Sequence, residues 1–327
     1  MADLSVKYLS LELKNPCIIA SSPLTADIDS LVRCEKAGAG AVVLKSIFEE
    51  QITSQVEKEL DENEQYLTHA DAVPYFEKIS KDYYINRYLD LVRKAKKELS
   101  VPVIASVNCT DADAWTEYIR SFEAAGADAL ELNYYPMSAD WRTEGSRVDR
   151  LAADFAARVR SACSIPVSVK IGCEYSSLAW IIRQMDQSGV DGLVLFNRFY
   201  RPDIDIENMT LTKAANPLSS ADEYAESLRW IALMSAEVRL DLAAATGIHS
   251  GETVIKMLLA GASAVQICSA AIKDLGVIAA MNSTLEDWMN RHGFSTVSEF
   301  RGKLAQENMS DGSRWERVQY IKKLMGE

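Results

Sequence analysis

A segment that occurs four times constrains this chain more than any other feature of its sequence. It begins with a small residue and a glycine and ends in an apolar run: AGAGAVVLK (37–45), AGADALELN (125–133), SGVDGLVLFN (188–197) and AGASAVQIC (260–268). The copies follow stretches with the periodicity of a helix, such as WTEYIRSFEA (115–124). We expect each glycine to end a helix and each apolar run to form a strand buried on both faces.

The gaps between these segments are long enough for one further strand–helix unit each, since such a unit takes about 30 residues or more. Apolar runs occur where the missing strands should be: PCIIASS (16–22), VPVIASV (101–107), IPVSVKI (165–171) and LDLAAATG (240–247). Eight parallel strands alternating with helices predict an α/β fold of the (β/α)8 TIM barrel type. An open doubly wound sheet would more usually carry a G-x-G-x-x-G turn after its first strand, and none occurs here.

We predict a single domain over residues 1–327 with a long insertion at about 47–85, after the second strand. The part from Glu49 to Glu64 carries seven acidic residues against one lysine. Two interpretations stay open: a solvated helical face, or a lid whose charge disfavours small dianions.

Polar residues gather where the predicted strands end, which is where such barrels place their active sites. Two lysines and several amides at one rim are costly to bury unless an anionic, hydrogen-bonding ligand pairs with them. The turns TGIHSGE (246–252) and ICSAAI (267–272) predict a phosphate site. His249 either adds a donor there or only begins a helix. The strand-end residues are Ser21, Ser22, Lys45, Ser106, Asn108, Asn133, Lys170, Asn197, Thr246, Gly247, Cys268 and Ser269.

Charge and cysteine spacing exclude several other classes. The net charge is −12, which disfavours nucleic acid and anionic membranes as partners. No apolar run is long enough to cross a membrane and no signal peptide is visible, so we expect a cytoplasmic protein. The six cysteines contain no C-x-x-C pair, so we expect no metal site and reduced thiols.

From about Leu11 to Phe300 the chain resembles the dihydroorotate dehydrogenase family of flavin barrels. The resemblance rests on the order and spacing of several segments rather than on any single motif. These are LKNPCIIASSPLT (13–25), AGAGAVVLKS (37–46), ALELN (129–133), PVSVKI (166–171), LVLFN (193–197), LLAGASAVQICSA (258–270) and HGFSTVSEF (292–300).

The resemblance implies an FMN cofactor, a small-molecule substrate and a homodimer. Lys45 and Lys170 would balance charge on the reduced flavin ring. Lys45, Asn133 and Asn197 would also bind the substrate. The implied cofactor-binding residues are Ala20, Ser21, Ser22, Lys45, Ser106, Asn133, Lys170, Gly247, Cys268 and Ser269.

The chain departs from the family where the catalytic base is expected. The family carries a Ser-Cys-Pro-Asn type segment after ELN, whereas this chain reads ELNYYPMSAD (131–140). Tyr135 or Pro136 aligns with the base, and Tyr135 is the catalytic candidate beside Lys45. A tyrosine base needs its pKa lowered from about 10. Cys109 and Cys173 are alternative bases or inert buried thiols.

Two further features differ from, or add to, the family pattern. The family's substrate loop after the second strand is replaced by QYLTHADAVPYFEKI (65–79). The long loop after the sixth strand carries Arg198 and Arg201. Arg198 either pairs with a carboxylate or forms a surface salt bridge.

The sequence therefore predicts an FMN-dependent oxidoreductase that moves a hydride between a substrate carbon and flavin N5, with inefficient use of dihydroorotate. The alternative is a non-catalytic FMN- or phosphate-binding barrel that serves as a partner or regulator. A third hypothesis is an aldolase-like lyase with Lys45 or Lys170 as a Schiff-base lysine.

Overall fold

The computed structural model describes residues 2–63, 72–109, 112–135, 138–198, 202–212, 217–316 and 324–326, and its centre is a closed barrel of parallel strands. The (β/α)8 prediction is confirmed. Every strand pairs with the next in the chain, and the eighth pairs with the first. The barrel strands are β1 Cys17–Ile19, β2 Ala41–Val43, β3 Val103–Asn108, β4 Ala129–Asn133, β5 Val167–Ile171, β6 Gly192–Leu195, β7 Asp241–Ala245 and β8 Ala264–Ile267.

Helices follow the strands and cover the barrel from outside. Among the described residues, none of them is long and apolar enough to cross a membrane. They are α1 Ile28–Lys36, α2 Glu49–Asn63, α3 Ala72–Glu98, α4 Ala112–Ala124, α5 Gly145–Ala162, α6 Leu178–Gln187, α7 Tyr224–Met234, α8 Gly251–Ala260, α9 Ser269–Lys273 and α10 Val277–His292. Short 3₁₀ turns lie at Pro23–Thr25, Ala221–Glu223, Val297–Glu299, Gln306–Asn308 and Gly312–Trp315.

The glycine of each repeated segment ends a helix, as predicted. Gly38, Gly126, Gly189 and Gly261 follow α1, α4, α6 and α8, and their φ angles are 102°, 95°, 84° and 114°. These angles lie in the left-handed region, which costs an L-residue roughly 1–2 kcal/mol. The glycine thus turns the chain from the helix into the strand that follows it.

The segment at 47–85 adds structure that a simple strand–helix unit lacks. Ile47–Phe48 pairs in parallel with the end of β3, and α2 and the first part of α3 follow. Ile52 and Val56 of α2 are buried, whereas Glu50 and Glu57 are exposed. The acidic side of α2 therefore faces solvent, in agreement with the interpretation of a solvated face. The extent of the single domain stays a prediction.

A hairpin of Val6–Tyr8 and Leu11–Leu13 closes the end of the barrel where the strands begin. Leu9, in its turn, is fully buried, and its backbone N–H donates to Asp241 Oδ2 over 2.9 Å. A Cβ on Gly192 would lie only 2.5 Å from Leu9 Cδ2. Leu9 thus fills the space that a glycine leaves at the start of β6. A second hairpin, Ile204–Asp205 with Thr210–Leu211, follows β6.

Candidate active site

A cavity of about 210 Å³ lies at the carboxyl ends of β1, β5, β6, β7 and β8. Six of the ten predicted cofactor-binding residues line it: Ala20, Ser21, Lys170, Gly247, Cys268 and Ser269. The predicted substrate residue Asn197 lines it too, together with Arg198, Pro217, Ser219, Ala245, Thr246, Ile248 and Gln266. The barrel thus brings residues from distant parts of the sequence to one chamber.

Lys45 lies elsewhere on the rim. It is exposed and lines a neighbouring cavity of about 270 Å³ between the barrel and helices α2 and α3. Arg87 and Tyr84 of α3 line the same cavity. The structure therefore places the two predicted lysines at different chambers, with Lys170 at the first and Lys45 at the second.

A chain of three serine hydroxyls connects the two chambers. Ser21 Oγ is 3.0 Å from Ser46 Oγ, which is 2.7 Å from Ser106 Oγ, and the Ser46 N–H donates to Ser21 Oγ over 2.8 Å. Ser21 lines the first chamber and Ser46 lines the second. Ser106, like the predicted Ser22, is buried behind the rim. Ser106 therefore supports the wall between the chambers.

The turn after β7 packs tightly against the start of α7 at the edge of the cavity. Gly247 lines the cavity and has a φ of 76°, and a Cβ at this position would lie 2.1 Å from the backbone nitrogen of Tyr224. Only glycine fits there, because any side chain would collide with the start of α7. Gly247 therefore fixes the position of the turn that lines this part of the cavity.

His249 supports this side of the cavity from behind. Its Nε2 is 3.0 Å from Ser219 Oγ, and the Ser219 N–H donates to Ser269 Oγ over 2.9 Å. Burial, together with the positive charge of Lys273, lowers the pKa of His249. His249 thus holds Ser219 in the cavity wall, and its role as a donor to a ligand stays a prediction.

A buried polar bridge crosses the barrel interior behind Lys170. Lys170 Nζ donates to Gln266 Oε1 over 2.9 Å, and Gln266 Nε2 donates to Glu131 Oε2. Burial raises the pKa of Glu131, while the positive charge of Lys170 and the Gln266 hydrogen bond oppose that rise. Sequence reasoning missed Glu131 and Gln266. The sequence could have indicated them, since each is a polar residue between apolar neighbours inside a strand.

Asn133 and Asn197 are brought together, as expected of a shared site. Asn197 Nδ2 donates to Asn133 Oδ1, and Asn197 Oδ1 accepts the N–H of Arg198. Arg198 Nε lies 2.9 Å from Glu223 Oε2, and both side chains are mostly buried. Arg198 thus makes an ion pair in the cavity wall rather than on the surface. Arg201 lies outside the described residues.

Tyr135 is hydrogen-bonded to a residue that sequence reasoning did not single out. Its hydroxyl donates to Glu174 Oε2 over 2.7 Å. Burial, and then the hydrogen bond and negative charge of Glu174, raise the pKa of Tyr135. The hydroxyl is therefore held protonated, which is the opposite of what a lone tyrosine base requires. Pro136, the other residue that aligns with the base, lies outside the described residues.

Gly172 makes room for this pair. A Cβ at Gly172 would lie 2.2 Å from Tyr135 Cε2 and 2.6 Å from Glu174 Oε2. The alternative bases are less suited to proton abstraction. Cys109 is buried, and burial followed by the charge of Glu174 raises the pKa of Cys173 to about 11.

The structure is a parallel barrel with a chamber at its carboxyl rim, and Lys170 and the turn at Gly247 line that chamber. This arrangement is typical of barrel proteins that bind a small polar ligand. Comparison with known proteins gives the family. The family model described as dihydroorotate dehydrogenase matches residues 3–289, and the chain belongs to that family.

Three named relatives are similar to most of this chain and to 77–95% of their own length. The chain is 28% identical, over 296 residues, to the catalytic subunit of dihydroorotate dehydrogenase B (NAD⁺) of Thermoplasma acidophilum, covering 88% of this chain and 95% of the relative. It is 27% identical to the corresponding subunit of Methanosarcina mazei, covering 91% and 93%. It is also 26% identical to the chloroplastic dihydropyrimidine dehydrogenase (NADP⁺) of Arabidopsis thaliana, covering 93% of this chain and 77% of the relative.

Proposed function

We propose that the protein is an FMN-dependent oxidoreductase that acts on a CH–CH bond of a dihydropyrimidine or a related small molecule. The observation that carries this proposal is the convergence of six expected cofactor residues on one chamber. Two kinds of relative support it, since one is named for dihydroorotate and the other for dihydropyrimidine. Bound FMN would supply the hydride acceptor or donor for such a reaction.

The proposal assigns different residues of the chamber to the phosphate and to the ring of FMN. Gly247, Cys268 and Ser269 would hold the phosphate, because they line the chamber where the chain leaves β7 and β8. Lys170 would face the ring with its positive charge, and Ala20 and Ser21 would contact the ring from β1.

The rim residues that are not assigned to FMN would bind the substrate. Asn133 and Asn197 would orient polar groups of the substrate through their linked amides. Lys45 would reach it from the second chamber, which shares the serine wall with the first. The catalytic role of Lys45 remains a prediction, and it depends on a substrate that extends to that side.

We further propose that Tyr135 and Glu174 replace the missing base. In oxidation the substrate proton would pass to the Tyr135 oxygen as the phenolic proton passes to Glu174, and in reduction both transfers would run in reverse. The raised pKa of Tyr135 suits this coupled transfer, because the tyrosine never has to exist as a free phenolate.

The test is an anaerobic visible spectrum of the purified protein before and after adding dihydroorotate or dihydrouracil. We expect a yellow protein with FMN bound that bleaches with at least one of these compounds. A colourless protein that cannot be loaded with FMN refutes the cofactor assignment.

The spectrum, together with two further measurements, separates the other hypotheses. A flavin that no pyrimidine reduces, in a protein that forms a stable hetero-complex, would favour the non-catalytic partner. Covalent trapping of a carbonyl substrate on Lys45 or Lys170 by borohydride would instead favour the lyase.

We also propose a homodimer that uses the hairpin after β6. Its large apolar side chains are highly exposed, with Ile206 at 79% and Met209 at 87%. Ile204 and Leu211 are exposed beside them. Several exposed apolar residues on one short hairpin are typical of a protein interface. A cytoplasmic location stays a prediction.

A further inference from the structure

The polar bridge behind Lys170 joins two neighbouring strands to a third strand on the far side of the barrel. Glu131 lies on β4, Lys170 on β5 and Gln266 on β8. Glu131 and Gln266 are each 1% exposed, whereas Lys170 is partly exposed and lines the chamber together with Gln266. The bridge therefore runs from the dry interior to the chamber wall.

The chemistry of the three groups fixes the direction of the amide. A lysine ammonium can only donate, so the carbonyl oxygen of Gln266 faces Lys170. The NH₂ group then faces Glu131, whose Oε2 accepts from it. Oε1 of Glu131 is buried without a hydrogen-bond partner among the described residues. Gln266 is thus hydrogen-bonded to both charged groups, and its orientation is fixed by both.

We propose that Gln266, backed by Glu131, is the positioning residue of Lys170: it holds the ammonium against the chamber wall, where it sets the reduction potential of the bound flavin. This inference rests on the proposed function for its flavin part. The positioning of Lys170 itself can be tested without any flavin.

A charge-neutral variant tests the bridge. Gln266→Met keeps most of the side-chain volume and removes both hydrogen bonds. In the flavin-free protein, acylation of individual lysines followed by mass spectrometry should show Lys170 reacting about tenfold faster, the factor that corresponds to losing one hydrogen bond to a charged group. The exposed Lys45 is the internal reference and should react at the same rate in both proteins. An unchanged rate at Lys170 overturns the proposal.

Glu131 is tested by a pair of variants. Glu131→Gln keeps an oxygen that can accept from Gln266, so Lys170 should react at close to the normal rate. Glu131→Leu removes that acceptor and should raise the rate as Gln266→Met does. Equal rates in the two variants would show that Glu131 does not act through the amide.

The flavin part is tested by the midpoint potential of the FMN-loaded protein. Gln266→Met should lower the potential, because the ammonium is no longer held at the wall. The same substitution should have no effect in a Lys170→Met background. A shift of equal size in both backgrounds would show that Gln266 acts through the barrel in general and would overturn the proposal. Ser168→Ala, a fully buried change on β5, is the matched control and should leave the potential unchanged.

Failure of the two proposals can be told apart. If the normal protein holds no FMN, the proposed function fails while the acylation rates still decide whether Gln266 positions Lys170. If Gln266→Met does not fold, Gln266→Asn shortens the amide and should also release Lys170. Normal acylation of Lys170 in a folded Gln266→Asn protein would overturn the bridge.

Discussion

Gly172→Ala is a one-methyl test of the Tyr135–Glu174 pair. The added Cβ would lie 2.2 Å from Tyr135 Cε2, far inside van der Waals contact. The tyrosine ring must therefore move, and its 2.7 Å hydrogen bond to Glu174 must break or lengthen. The substitution changes no charge and removes no reactive group, so any effect arises from position alone.

The magnitudes separate a catalytic effect from a folding effect. Gly172 does not have a left-handed backbone, so alanine gains about 0.4–1 kcal/mol through the unfolded state. Displacing the Tyr135 ring should cost about 1–3 kcal/mol, and loss of its hydrogen bond about 0.5–1.5 kcal/mol. The free energy of unfolding should thus fall by about 0.5–4 kcal/mol, and the unfolding curve shows whether the variant is folded in the assay. The rate of flavin reduction by substrate should fall by about 10²–10⁴ if the pair transfers the proton.

The assay is anaerobic stopped-flow bleaching of the flavin, measured beside denaturant unfolding. Tyr135→Phe should lower the rate to the same extent, and the double variant should be no slower than either single one. Gly145→Ala is the control, because no atom lies within 4 Å of a Cβ added there. A Gly172→Ala protein that reacts at the normal rate would refute the proposed role of the pair.

Three further outcomes follow from the structure. Gly247→Ala should displace the turn that lines the chamber, since its Cβ would collide with the Tyr224 backbone. In the folded variant, loss of one hydrogen bond to the phosphate should weaken FMN binding by at least about tenfold. Equilibrium dialysis measures the affinity, and normal affinity would contradict the phosphate site. Met209→Asp should convert a dimer into a monomer in sedimentation experiments, and a dimer that survives this change would place the interface elsewhere. Hydrogen bonds from Ser30 lower the pKa of Asp27, so its stabilising effect is present above about pH 4 and is lost as pH falls through the lowered pKa. Asp27→Ala should therefore lower the melting temperature at pH 7, and the difference between the two proteins should shrink as the pH falls below about 4.

Much of the fold could be predicted because short segments of the sequence determine it. A glycine between a helix and a buried strand can be recognised from the few residues around it. Gly126 and Gly261 are examples, and their φ angles of 95° and 114° are left-handed. The apolar runs likewise predicted the residues at strand ends, such as Ser21 and Lys170. These residues were expected at one rim because the carboxyl ends of parallel strands meet there.

The rest of the site depends on contacts between distant strands. Nothing near Glu131 in the sequence indicates that it reaches Lys170 through Gln266, which is 135 positions away from Glu131. The Tyr135–Glu174 bond likewise joins two loops, and it needs the missing side chain of Gly172. The second chamber beside Lys45 also depends on distant contacts, because helices α2 and α3 build it and the sequence did not predict it.

The Leu9 turn decides which end of the barrel can exchange a ligand. Leu9 is fully buried against Gly192 at the start of β6, and its backbone N–H is bound to Asp241 at the start of β7. Packed side chains therefore fill this end, and the chamber with Lys170 lies at the opposite end, where the strands finish. We expect a ligand to enter and leave at that carboxyl rim.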